Sequence, residues 1–316
     1  MVFAALVIAG VSACGGEDSA SAGLRVVAST THVADLARNV ADERADVEGV
    51  LPPNADPHGY EPRPADAEAL LDADLVITSG GDLDLWMDEL YEASGSDGAR
   101  LALIEAVDTL SAPHDHEHGH EHAGEDEEGA DEGIDPHWWH DPGAARDAVA
   151  AIRDELIAID PEGAPIYRAN AKRYSERIAA LDRRIAGCFE RIPPSQRKLV
   201  TTHDSLAYFA EHYGLQVVGA ALPALTTQAQ PSAGQVADLV DLIRAEGVRA
   251  VFAEAGLSAD LERAIADEAG ARVGGELWTD TLGPSGSGAE TYLDALAANA
   301  RTIAAGLSGS AGACAL

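Results

Sequence analysis

Four residues of this chain, His58, His137, His203 and Asp280, have side chains and settings suited to holding a cation. They sit in the stretches "PHGYEPRPAD", "DPHWWHDP", "TTHDSLAYFAEHYG" and "ELWTDTLG". Imidazole and carboxylate are both ligands for divalent transition metals, and three neutral imidazoles with one carboxylate suit a tetrahedral zinc ion. Taken singly, each histidine also reads as a surface or hydrogen-bonded residue, and Asp280 as a turn residue. Their settings raise them above that. A proline precedes both His58 and His137 and fixes the backbone on one side, and His203 directly follows an apolar stretch. A fifth cluster is louder. In "APHDHEHGHEHAGEDEEGADEGIDPHWWHDP", residues 112–142, His114, His116, His118, His120 and His122 alternate with short polar residues. This run has no apolar face and cannot bury enough surface to fold by itself. It is expected to be a disordered loop that binds metal weakly and draws it toward an ordered site. The alternative is a dispensable solvated insert.

The elements around these residues alternate. "LRVVAS", "ADVEGVL", "DLVITSG" and "ARLALIE" read as strands, with "THVADLARNVA", "PADAEALLDA" and "DLDLWMDELYEAS" as helices between them. Residues 143–192 carry no strand signal. The segment "IYRANAKRYSERIAALDRRIAGCFERI" has a strong helical period that ends at Pro193-Pro194. Alternation then resumes, with strands "RKLVTT", "LQVVGA", "VRAVFAE" and "ARVGGEL". Short apolar strands alternating with helices predict parallel sheets covered on both faces. The fold expected is α/β: two Rossmann-like lobes joined by a long rigid helix. The divisions expected are 1–23, a signal and flexible tether; 24–142, the first lobe, with a disordered loop at 112–133; 143–192, linking helices; 193–308, the second lobe; and 309–316, a tail. Ligands in open α/β sheets bind beyond the carboxyl ends of the strands. The four candidate residues fall there, two in each lobe, so a cation would sit in the cleft between lobes.

Composition sets limits on partners. A formal net charge of -33 argues against a nucleic-acid binder, because phosphate neutralisation requires Lys and Arg. The opening "MVFAALVIAGVSAC" has an apolar run too short to span a bilayer, and "VSAC" looks like a lipobox that would leave Cys14 as a lipidated first residue. No basic residue precedes the apolar run, unlike an ordinary secretory signal. "GGEDSASAG" then reads as a tether. Export would allow a disulfide between the remaining cysteines, Cys188 and Cys314. The other reading is a buried free thiol at Cys188 and an idle one in the tail.

The motifs together resemble the metal-specific solute-binding lipoproteins of bacterial ABC importers, the ZnuA/TroA-like family. "PHGYEPRPAD", "DPHWWHDP", "TTHDSLAYFAEHYGL", "VFAEAGLSADL" and "DTLG" stand in that family's order over residues 24–307. The resemblance implies two lobes on a backbone helix, with His58, His137, His203 and Asp280 as the metal ligands. It implies an extracytoplasmic, lipid-anchored monomer that hands its cation to a membrane permease driven by an ATPase subunit. Manganese members tend to carry glutamate at the third position, where this chain has His203. Imidazole favours zinc and manganese favours oxygen, so Zn2+ is the expected cation and Mn2+ the second. The histidine-rich insert, a feature of the zinc members, points the same way. A zinc chaperone or a surface adhesin would share the scaffold. A zinc hydrolase is disfavoured: four protein ligands leave no position for activated water, and "H-E-x-x-H" is absent. His140, where the family more often has an apolar residue, reads as a hydrogen-bond partner of the site or as a helix cap. Glu61 and Glu254 read as supporting groups, and Trp138 and Trp139 as packing between the lobes.

Overall fold

A computed structural model describes residues 23–112, 133–310 and 312–316. In the first lobe, β1 (Leu24–Ala28) pairs in parallel with β2 (Ala45–Gly49) and with β3 (Leu75–Thr78). The edge strand β4 (Ala99–Ala102) completes the order β2-β1-β3-β4. It is shorter than "ARLALIE" predicts. Its one neighbour, β3, ends at Thr78 opposite Ala102, so the ladder stops and the chain turns through a 3-10 segment at Leu103–Ala106. Three helices cover this sheet: α1 (Thr31–Ala41), α2 (Pro64–Leu71) and α3 (Trp86–Ser94). The Thr30 hydroxyl caps α1 by accepting from the Val33 amide at 3.3 Å.

Two helices without strands follow. Asp141 caps α4 (Pro142–Ile159), with Pro142 at its first position. The second, α5 (Ala164–Phe189), has 26 residues and so spans about 39 Å. Its buried Tyr167, Asn170, Tyr174, Ile178 and Ile185 recur at three-, four- and seven-residue spacing, which turns one stripe inward along its length. That stripe packs on α1 of the first lobe and on α6 (Ala207–Tyr213) and α9 (Tyr292–Ser308) of the second.

The second lobe holds two parallel pairs. β5 (Lys198–His203) pairs with β6 (Gln216–Leu222), and β7 (Ala250–Glu254) with β8 (Arg272–Leu277). β5 and β7 lie side by side, and α7 (Ala233–Glu246) and α8 (Asp260–Ala269) pack nearby.

One apolar cluster runs through the whole assembly, from Leu36 and Ile77 through Ile152 and Ile178 to Phe209 and Phe252. Polar bonds index the parts within it. The buried Asp35 carboxylate of α1 accepts from the Tyr174 hydroxyl of α5 at 2.9 Å and from the Tyr292 amide of α9 at 3.1 Å. His212 of α6 reaches Asp141 at 2.8 Å and Asp182 of α5 at 2.9 Å. Trp138 donates to Ser79 O at 3.3 Å in the first lobe, while Trp139 donates to Thr279 O at 2.9 Å in the second. At the base, Cys188 and Cys314 are disulfide-bonded, which ties the tail to the end of α5.

Candidate metal centre

Strand ends and the loops beyond them deliver the four side chains from different parts of the chain. His203 is the last residue of β5. Asp280 follows β8 by three residues, and His58 lies in the loop after β2. His137 immediately precedes a 3-10 turn at Trp138–His140. Local bonds fix each one. Asp56 Oδ1 accepts from the His58 amide at 2.9 Å, and Asp135 Oδ1 accepts from the His137 amide at 3.0 Å. The sequence Asp-Pro-His thus appears twice and folds the same way at its backbone.

The four ligand atoms lie within 4.8 Å of one another. Asp280 Oδ2 is 3.0 Å from His58 Nε2 and 3.2 Å from His203 Nε2. His203 Nε2 is 3.3 Å from His137 Nε2, and His137 Nε2 is 3.6 Å from Asp280 Oδ1. Zinc bonds of about 2.0–2.1 Å in a tetrahedron place ligand atoms roughly 3.3 Å apart. These four separations lie around that value, while the widest pair among the four ligand atoms lies up to 4.8 Å apart. The four side chains are almost wholly withdrawn from solvent; the most accessible, that of His58, is 4% exposed.

Two carboxylates behind the rings set their orientation. His137 Nδ1 meets Asp135 Oδ1 at 2.7 Å, and His203 Nδ1 meets Glu254 Oε2 at 2.8 Å. A carboxylate at Nδ1 makes that nitrogen the N–H donor and leaves the Nε2 lone pair directed at the centre. Electrostatics follow from the same contacts. Burial alone would lower the His203 pKa, but Glu254 and Asp280 outweigh it and hold the ring well above the ordinary imidazole value. Burial would raise Asp280, but His203, with help from His58 and His137, holds it well below the usual carboxylate range. Burial pushes Glu254 up. A divalent cation bound among these groups would compensate the buried carboxylates.

The remaining candidates fall into place around this centre. Glu254, at the end of β7, is the partner of a ligand ring. Trp139 packs edge-on to His137 at 5.5 Å between centroids, and its indole crosses to the second lobe. His140 is buried against Trp139 at 5.6 Å, and burial drives its pKa well below the ordinary value. It neither joins the four nor caps the helix: the cap is Asp141, which accepts from the Gly143 amide at 2.6 Å. Glu61 is exposed in a groove outside the centre. Asp135 and Asp56 were not singled out from the sequence; the repeated Asp-Pro-His was the available signal. His114, His116, His118, His120, His122 and Cys14 lie outside the described residues.

Residues 26–306 match the family described as "Zinc-uptake complex component A periplasmic". The chain is 33% identical over 311 residues to the manganese-binding lipoprotein MntA of Halalkalibacterium halodurans, covering 97% of each. It is 31% identical over 283 residues to the iron-binding protein YfeA of Yersinia pestis, covering 89% of this chain and 86% of that one. Its fold is similar to that of the periplasmic zinc-binding protein TroA from Treponema pallidum, with a TM-score of 0.78 and 26% identity over 90% of this chain and 99% of that one. A two-lobed α/β chain with four ligand side chains converging in its cleft, matched along nearly its whole length, belongs to the ZnuA/TroA family of solute-binding proteins that serve ABC metal importers.

Proposed function

We propose that this protein captures Zn2+ outside the cytoplasm at His58, His137, His203 and Asp280, and delivers it to an ABC permease and its ATPase. Lipidation at Cys14 would hold it at the membrane as a monomer, and the histidine-rich segment around His114–His122 would gather ions near the cleft. The observation that carries this reading is the donor set: three imidazole nitrogens and a carboxylate, all within 4.8 Å, at spacings suited to tetrahedral zinc. Four protein ligands fill such a shell, which supports binding and release over hydrolysis.

Manganese is the second reading. The relative from Halalkalibacterium halodurans is named manganese-binding. Asp280 Oδ1, which has no hydrogen-bond partner among the described residues, offers a further oxygen beside the three nitrogens, and manganese favours oxygen and larger coordination numbers. Elemental analysis of protein purified without added metal, followed by calorimetric competition, separates the two. Zinc at one equivalent, undisplaced by excess manganese, supports the zinc reading. Manganese displacing zinc at parity would overturn it.

A further inference from the structure

Asp56 does a second job that its counterpart Asp135 does not. In both Asp-Pro-His segments one carboxylate oxygen holds the histidine amide. Asp135 then uses the same oxygen on its own histidine ring. The His58 ring instead turns to Asp280, which leaves Asp56 Oδ2 free to cross the cleft, where it accepts from the Thr227 hydroxyl of the second lobe at 2.6 Å. Thr227 lies in the loop between β6 and α7, so this bond joins the loop of the first ligand to the opposite lobe.

The bond also stands between two cavities. Outside it is an open groove of about 680 Å³, lined by Pro52, Asp56, Gly59, Tyr60, Glu61 and Gln228. Inside it is a small cavity bounded by Asn54, Asp56, Glu254, Gly256 and Asp280, with room for about one water. Asp56 borders both. Glycines line this contact, and Gly256 is the one whose backbone requires it. A Cβ on Gly59 would stand 2.7 Å from Gln228 Nε2, and Gly256, at φ +89°, faces Asn54 at 3.2 Å.

We propose that Asp56 and Thr227 form a latch across the mouth of the metal centre: the Asp56 carboxylate receives the incoming dication, and its bond to Thr227 then holds the cleft shut. This rests on the reading of the four residues as the metal site. In the open protein the carboxylate faces the groove as an oxygen ligand for a passing cation. Passing the ion inward to Asp280 and the three histidines releases it for the hydroxyl, so closure follows loading.

The test is stopped-flow uptake of Zn2+ by the full chain, followed by tryptophan fluorescence, with chelator-triggered release. Thr227→Val lacks the donor and should release zinc roughly three- to tenfold faster, while Thr227→Ser should match the parent. Asp56→Asn keeps the hydrogen bonds through its amide but removes the charge. It should take up zinc about fivefold more slowly at low salt, with the gap closing as salt rises. Thr227→Ala serves as a second hydroxyl-free variant if the valine misfolds. Unchanged release without the hydroxyl, or an Asp56→Asn deficit that ignores salt, would overturn the latch. If the parent takes up no zinc, or His203→Ala still takes it up at the parent's affinity, the metal centre itself is misassigned and the latch falls with it.

Discussion

His203 is held at both ring nitrogens by buried carboxylates, Glu254 at 2.8 Å and Asp280 at 3.2 Å. If it is a ligand, its loss should remove most of the stability that metal adds, which is about 4 kcal/mol at a thousandfold excess over the dissociation constant. Thermal unfolding should therefore show His203→Ala losing most of the zinc-dependent rise in Tm, and a chain lacking residues 114–130 keeping most of it. The reverse would mean that the histidine-rich segment is the true site. Asp135 acts one step back, through the His137 ring. Asp135→Asn should leave one zinc per chain but weaken its binding roughly 10- to 100-fold in a chelator competition; an unchanged affinity would make that bond merely structural. The candidate ligands stood out in the sequence because His58 and His137 follow proline and His203 ends an apolar strand, whereas Asp280, between two threonines, had no such local mark. The carboxylates at their backs were less so. Glu254 reaches His203 across 51 residues of chain, a meeting that only the packing of β5 beside β7 creates.

At the scale of elements, helical and strand periods marked nearly every segment, and the long α5 was the clearest. Two features escaped. The 3-10 turn at Trp138–His140 has no period to betray it, because three residues make barely one turn. The end of β4 depended on where its neighbour stopped. The clamp on α6 was equally hidden. Hydrogen bonds to Asp141 and Asp182 hold the His212 imidazole at about 10, up from 6.5. A folded pKa above the ordinary one means a contribution that is complete below pH 6.5 and lost as pH rises through about 10. His212→Gln should cost about 1 kcal/mol at pH 6–7 for this partly exposed pair, and denaturant titrations should find parent and variant converging above pH 10. A difference that persists there would assign the loss to packing against Tyr213 instead.

For the molecule as a whole, the Cys188–Cys314 bond closes 126 residues of chain. Such a loop contributes roughly 3–5 kcal/mol by restricting the unfolded chain. Thiol titration of unreduced, unfolded protein should find neither cysteine, and Cys188→Ser with Cys314→Ser should lower stability on that scale. Titration of both thiols would show the pair unbonded in solution. A cation bound at the proposed centre would make a second closure of a different kind. His58 and Asp280 are 222 residues apart, and their meeting needs β8 already docked. No shorter piece of the chain carries the full set of ligands, so metal cannot seed folding from a local loop. If the contact it secures forms after the transition state, as its 222-residue span suggests, its stabilisation appears as slower unfolding. Stopped-flow refolding should accordingly run at the same rate with and without zinc, while unfolding in denaturant slows severalfold with it. The bound ion would act as a brake on loss of the native state rather than as a guide toward it.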